Sequence, residues 1–140
     1  MSQSYIPAEL RRLVRQRAAN CCEYCLLPES LSFMPHELDH ITAEKHGGAT
    51  DETNLALACL FCNKHKGTDL ASIDPITGAV ELLFHPRLHR WAEHFRLVAG
   101  RIEPMTAIGR VTVKLLCFNQ PARVEERIIM VVAGPIVAAK

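Results

Sequence analysis

The sequence predicts an α+β protein: a strand–strand–helix core stapled by four cysteines, with a helix before it and an α/β extension after it. Three observations carry this. Two Cys-x2-Cys pairs, Cys22/Cys25 and Cys59/Cys62, bracket the core. Stretches of strand character alternate with helical patterns along the chain. The composition, 49% apolar and 22% charged, is that of a globular protein and excludes a disordered tail, a collagen-like fibre and a coiled-coil rod.

The elements follow in order. Pro7 opens a helix over residues 8–19, in which Leu10, Leu13, Val14 and Arg17 recur at helical spacing. Asn20 suits a left-handed stop. Cys21-Cys22-Glu23-Tyr24-Cys25 is a knuckle-like turn, and the proline-punctuated residues 26–38 are loop. A short strand is expected over 37–42, a loop with Gly47-Gly48 over 44–53, and a return strand over 54–58. A helix over 60–72, with a break near Gly67, completes the core. Asp74-Pro75-Ile76-Thr77-Gly78 is a turn, followed by a strand over 79–84 and a short helix over 89–95. Residues 96–105 form a hairpin turning at Gly100. Residues 106–117 form a helix capped by Thr106, and 124–132 the last helix. With 140 residues and roughly 100–200 per domain, the chain is expected to be one domain, 1–140. Its core lies at about 8–72 and its extension at about 73–140.

The net charge of +1 is unevenly spread. Residues 1–20 carry +3, residues 21–84 carry −7 and residues 85–114 carry +4. Basic flanks around an acidic middle are compatible with a polyanion bridged to an acidic metal site. The longest apolar stretch, Ile128–Ala139, is broken by Gly134-Pro135 and falls short of the ~20 residues of a membrane span. No apolar run follows a basic start, so no secretory signal is expected. The expected compartment is the reducing cytoplasm, where clustered cysteines point to metal or catalysis rather than to disulfides.

A Cys-x2-Cys turn lets two thiolates reach one ion at about 2.3 Å, and two such turns supply the four ligands of a closed, structural zinc site. The thirty-three residues between the pairs exceed the about 15–20 of a common zinc ribbon, so a working segment is inserted between the knuckles. Cys21 replaces Cys22 only by lengthening the first spacing to three. A redox Cys-x2-Cys lacks its βαβ context here. Cys21 and Cys117 read as packed thiols, Trp91 as core, and His36 and His46 as loop residues.

The inserted segment carries His36-Glu37-Leu38-Asp39-His40-Ile41, and the second knuckle runs on into Asn63-Lys64-His65-Lys66-Gly67. Asp39 is a hard oxygen ligand suited to Mg²⁺ or Mn²⁺. His40 is a base available near neutral pH. Adjacent residues of a strand point to opposite faces, so this pair serves one site only where the chain wraps round. Asn63 offers a further oxygen from the start of the helix. Lys64 and Lys66 suit a solvated helix face or phosphate contacts, and so do Arg11, Arg12 and Arg15.

Taken together, Cys-x2-Cys, Leu38-Asp39-His40-Ile41, Gly47-Gly48, Asn54-Leu55 and Cys59-x2-Cys62-Asn63-x-x-Lys66-Gly67 resemble the HNH endonucleases. Within them they are similar to the zinc-stapled ββα-metal subclass. Phe84-His85-Pro86-Arg87, Trp91–Phe95 and Thr106–Arg110 are similar to the tail of stand-alone bacterial members. The resemblance implies a metal-dependent DNA endonuclease that hydrolyses phosphodiester bonds to a 5′-phosphate and a 3′-hydroxyl. It implies His40 as general base, Asp39 and Asn63 as ligands of a catalytic Mg²⁺ or Mn²⁺, and Asn54 as the residue bonding across the ββ loop to hold His40. Asn63 stands where many members carry His. His65 competes for that position, but Asn63 directly follows the knuckle. The structural Zn²⁺ falls to Cys22, Cys25, Cys59 and Cys62. The implied partner is DNA, duplex or nicked. The alternative is a zinc-stapled nucleic-acid-binding module without catalysis.

Overall fold

The structure is a computed structural model that describes residues 5–133. Helix α1 spans Ala8–Arg17, strands β1 and β2 span Glu37–His40 and Leu55–Ala58, and helix α2 spans Leu60–Lys66. The extension adds β3 (Ala71–Ile73), β4 (Val80–Leu82), α3 (Trp91–His94), β5 (Phe95–Val98), β6 (Arg101–Pro104), α4 (Ala107–Leu115) and α5 (Pro121–Ala133). The strands pair in sequence as antiparallel two-stranded ribbons, β1 with β2, β3 with β4 and β5 with β6.

Most of the expected elements are present, and the boundaries move for identifiable reasons. Helix α1 closes through Ala19 and Asn20, at φ 53° and 56°, so Asn20 does take the left-handed position. The helix expected over 60–72 ends at Lys66, because Gly67 turns the chain at φ 53°. Residues 71–73 are instead a strand, with Ser72 opposite Glu81 and Ile73 opposite Val80. Helix α3 is a single turn, since Phe95 is already the first residue of β5, opposite Pro104. Thr106 caps α4 as expected, accepting a hydrogen bond from the Gly109 amide at 3.0 Å. Gly109 is no defect in that helix. A Cβ there would overlap the His94 carbonyl, so the glycine lets α4 lie close against α3.

The β1–β2 hairpin owes its two unlike faces to the pleat. Leu38 pairs with Leu57 and His40 with Leu55. Leu38, Leu55 and Leu57 are buried with Ile6, Val14 and Ala18, so this face is the seat of α1. Glu37 pairs with Ala58 and Asp39 with Ala56, on the opposite face. The small alanines make room there for the knuckle residues Cys22, Tyr24, Cys59 and Cys62, with which they share a core. That core runs on into the extension through Phe84, Trp91, Phe95, Ile102, Val111, Phe118 and Met130. Trp91 is core as expected, and its indole N–H donates to the Tyr24 carbonyl at 2.9 Å.

The outer edge of β2 is covered by side chains. Arg17 donates to the Leu55 carbonyl at 2.7 Å, and Arg87 donates to the same oxygen at 3.4 Å. Glu23 uses its amide on the Leu57 carbonyl at 2.8 Å and accepts from the Leu57 amide with its carboxylate at 2.8 Å. Arg87 and Glu23 are themselves ion-paired. Among the described residues no helix is long and apolar enough to cross a membrane. Of the apolar stretch Ile128–Ala139, residues 134–139 lie outside those described.

The extension has its own electrostatic clasp. Asp74 is fully buried and accepts two hydrogen bonds from Arg110 of α4, at 2.9 and 2.7 Å. It also accepts from Ile76 and Thr77 in the turn that joins β3 to β4. The Arg110 guanidinium holds the Asp74 carboxyl well below its ordinary value of 3.8. A carboxyl depressed in the fold contributes stability that is present above the ordinary value and lost as pH falls below it. Wild type should therefore lose stability as pH drops below 3.8. Asp74→Asn should melt several degrees lower at neutral pH and lose that part of the acid dependence. Parallel melting curves of the two proteins across pH 2–7 check this.

Candidate functional site

Four cysteines from two turns meet in one place. The Sγ atoms of Cys22, Cys25, Cys59 and Cys62 all lie within 4.8 Å of one another, and all four residues are buried. Sulfurs bound to one zinc at 2.3 Å in a tetrahedron stand about 3.8 Å apart, and the Cys25 and Cys59 sulfurs are 3.6 Å apart. Each turn folds its amides onto its first sulfur: the Cys25 N–H donates to Cys22 Sγ and the Cys62 N–H to Cys59 Sγ, both at 3.4 Å. Burial pushes the Cys22 and Cys62 thiols up. Hydrogen bonds from the other cysteines hold Cys25 down. Four buried thiols cannot all ionise unless a cation joins them. The donor set, its spacing and its closure fit a structural zinc.

A residue of the last helix completes the cluster. Arg123, Arg127 and Met130 recur at helical spacing on one side of α5, and all three are buried. The Arg123 guanidinium donates to Cys62 Sγ at 3.1 Å and contacts Cys59 Sγ at 3.7 Å. Its other nitrogen donates to the Leu116 and Cys117 carbonyls at 2.6 and 3.1 Å. Zn²⁺ with four thiolates carries a net charge of about −2, and Arg123 sets a cation against it inside the core. Through this contact the extension is tied to the knuckles.

Beside the knuckles, the face of β1 that carries Glu37 and Asp39 meets α2. Asp39 is 5% exposed and Lys66 2%. Lys66 Nζ lies 3.1 Å from Asp39 Oδ2 and donates to the His40 carbonyl at 3.3 Å. The Tyr24 hydroxyl donates to Asp39 Oδ2 at 2.8 Å. Burial pushes the Asp39 carboxyl up, against the pull of Lys66 and Tyr24. One turn earlier on α2, the Asn63 amide donates to Glu37 Oε1 at 2.8 Å. The rungs Glu37–Asn63 and Asp39–Lys66 thus run side by side between strand and helix. The one amide donor bond leaves Asn63 Oδ1 without a protein partner among the described residues.

His40 lies at the end of β1 on the other face. Its Nε2 is 2.9 Å from Thr50 Oγ1. Thr50 belongs to the loop between β1 and β2, and Asn54 fixes that loop. Asn54 Oδ1 accepts from the Thr42 amide at 2.9 Å, and its Nδ2 donates to the Thr42 and Ala49 carbonyls at 2.9 and 2.8 Å. Gly48 is needed in this clasp, because a Cβ there would overlap the Thr42 carbonyl and stand 2.7 Å from Asn54 Nδ2. The loop thereby wraps from one strand end round to the other.

The HNH endonuclease family model matches residues 22–69. The chain carries an HNH domain. Neither the curated proteins nor the solved structures include a significant match. The matched segment runs from the first knuckle through β1, β2 and α2. It contains every residue that the sequence singles out for zinc or catalysis.

The HNH domain brings the four cysteines together; His40 and the Asn54 clasp lie at the end of β1, Asp39 faces Lys66 on the other face, and Asn63 bonds Glu37 at the start of the strand. Asp39 and Asn63 face each other's elements but hold different partners. The cross-loop bonds expected of Asn54 exist, on the backbone at Thr42 and Ala49 rather than on the His40 ring. His65 turns toward the extension, with Nδ1 3.9 Å from Cys117 Sγ, whereas Asn63 faces β1. His36 is a loop residue, as expected, just before β1, but a buried one: it is 2% exposed and bonded through Nε2 to the Leu27 carbonyl at 2.8 Å. Lys66 is buried against Asp39 rather than solvated, while Lys64 is exposed. Arg15 is held by Glu29 at 2.6 Å and by the His36 carbonyl at 3.0 Å.

Sequence reasoning did not find Tyr24, Thr50 or Arg123. Two arginines at apolar-stripe positions of α5 were the available signal for a buried anionic partner. Tyr24 and Thr50 left no such mark.

If the cluster holds zinc, part of its binding free energy is folding free energy. Cys59→Ser should lose the metal and unfold at markedly lower temperature. Cys21→Ser should do neither, because Cys21 stands outside the quartet and its Sγ donates to the Ala19 carbonyl at 3.5 Å, as a hydroxyl can. Arg123→Gln should keep the four ligands yet release zinc to a chelator faster. Elemental analysis, melting curves and chelator-release rates of the three variants check these outcomes. Equal zinc content in wild type and Cys59→Ser would rule out the quartet.

Proposed function

We propose that this protein is a metal-dependent DNA endonuclease whose active site is the end of β1 and the facing side of α2. The observation that carries the reading is the HNH match over residues 22–69, within which β1 carries a buried carboxylate, Asp39, next to a strand-end histidine, His40, and Asn63 of α2 bonds to that strand at Glu37. A binding module needs the knuckles and a basic surface, but has no use for the Asp39–His40 pair on β1.

His40 takes a proton from a water molecule. The water oxygen attacks phosphorus in line, the bond from phosphorus to the 3′ oxygen breaks, and that oxygen is protonated from solvent. The products are a 5′-phosphate and a 3′-hydroxyl, and His40 returns its proton to solvent. Asp39 and Asn63 offer only oxygens, a donor set that suits Mg²⁺ or Mn²⁺ rather than a softer ion. Such an ion, when bound, supplies positive charge against the phosphate and the leaving oxygen. Lys66 occupies the Asp39 carboxylate in the structure, so it keeps that buried charge compensated and must share it when an ion binds. Asn54 holds the loop from which His40 is supported.

A second reading, a zinc-stapled nucleic-acid-binding module without cleavage, draws on that same ion pair, since a module would keep Lys66 on Asp39 permanently. The two separate in a plasmid-nicking assay with Mg²⁺, Mn²⁺ or chelator. His40→Ala should cut at least ~10²-fold more slowly, the lower end of a general-base contribution, with DNA affinity unchanged. Asp39→Asn should lose Mg²⁺-supported cleavage. Asn63→His should shift the preference toward Ni²⁺ or Zn²⁺, because it adds an imidazole. Metal-independent binding with no nicking in any of these conditions would favour the module. Full Mg²⁺-supported activity in Asp39→Asn would put the ion elsewhere.

A further inference from the structure

We infer that Thr50 is a positioning residue for His40: its hydroxyl accepts a hydrogen bond from Nε2–H and thereby leaves the Nδ1 lone pair for the water to be activated. This rests on the reading of His40 as the base. An imidazole at a strand end turns about two side-chain bonds, and only one of its nitrogens can serve as base at a time. The ring therefore needs a partner that selects both its orientation and its tautomer.

The structure supplies one such partner. Nε2 points into the β1–β2 loop and meets Thr50 Oγ1 at 2.9 Å. Nδ1 has no protein partner among the described residues. Among the described residues the one fully buried side-chain polar atom without a partner is His36 Nδ1, so His40 Nδ1 keeps some solvent contact in a residue 7% exposed. The backbone that carries Thr50 is fixed on both sides. The Ala49 carbonyl accepts from Asn54 Nδ2. The Asp51 carbonyl accepts from the Asn54 amide at 3.1 Å. Asp51 Oδ1 adds bonds from the Thr53 amide and hydroxyl at 3.0 and 2.5 Å. The hydroxyl is thus held by anchored chain, not by a free loop. Asn54, which does not touch the imidazole, acts on it through Thr50.

The test uses the full-length, zinc-loaded protein. Nitrogen-15 spectra of the neutral imidazole report the tautomer without reference to cleavage. Wild type should show His40 mainly as the Nε2–H form, and Thr50→Val should show a mixture. With supercoiled plasmid and Mg²⁺, Thr50→Val should lower kcat by about 10-fold to 100-fold, the range for partners that orient a ligand or base, with KM for DNA unchanged. Thr50→Ser should recover most of the lost rate. A wild-type His40 that is mainly Nδ1–H overturns the proposal, as does a Thr50→Val protein with unchanged kcat while His40→Ala is impaired. In that last case the reading of His40 as base survives. Full cleavage by His40→Ala overturns both.

Discussion

Four sulfurs drawn toward one point hold this structure in register. The first knuckle stands after α1 and the second before α2, so closing them on each other brings together segments thirty-three residues apart. Only then does the intervening chain have to return as a hairpin. The closure also fixes the start of α2, because Cys59 caps that helix with its own sulfur, and hence fixes which residues face β1. Arg123 extends the constraint to the far end of the chain. A buried guanidinium is tolerated where anionic sulfur lies opposite it, so α5 has one place to dock.

Within that frame the pleat of β1 divides the chemistry. Asp39 looks toward α2 and His40 toward the other face, as neighbours on a strand must. They are reunited from outside: Lys66 reaches from α2 to touch both the Asp39 carboxylate and the His40 carbonyl, while Thr50 reaches back from the loop to the His40 ring. Removing either Asp39 or Lys66 alone leaves the other's charge in the core, a loss of about 3–5 kcal/mol for a buried pair. Burial and the proposed ligand role therefore pull on the same carboxylate.

The ββα order, both knuckles and the pairing of Asp39 with His40 were legible because each leaves a spacing in the chain: two residues between thiols, period two in β1, a cap before α4. What was not legible depends on the third dimension. Lys66 suited a solvated face or a phosphate contact because a lysine carries no sign of the carboxylate that will neutralise it. His36 is the loop residue its polar neighbours suggest, but nothing in the sequence marks that its ring is buried and bonded to the Leu27 carbonyl. Residues 71 and 72 closed a helical pattern on paper and became strand because Gly67 turns the chain and residues 80–82 were there to pair. Thr50 sits in a segment with no periodicity, and its meaning lies in one distance to a ring ten residues earlier.

The cover on β2 bears on assembly. A naked edge of a ribbon is a template on which another chain can lay its own strand. Here the outward carbonyl and amide of Leu57 already belong to Glu23, and the Leu55 carbonyl to two arginines. An incoming strand would have to displace that ion-paired cover before making its first backbone bond. This edge of the hairpin that carries His40 therefore resists the addition of another chain's strand.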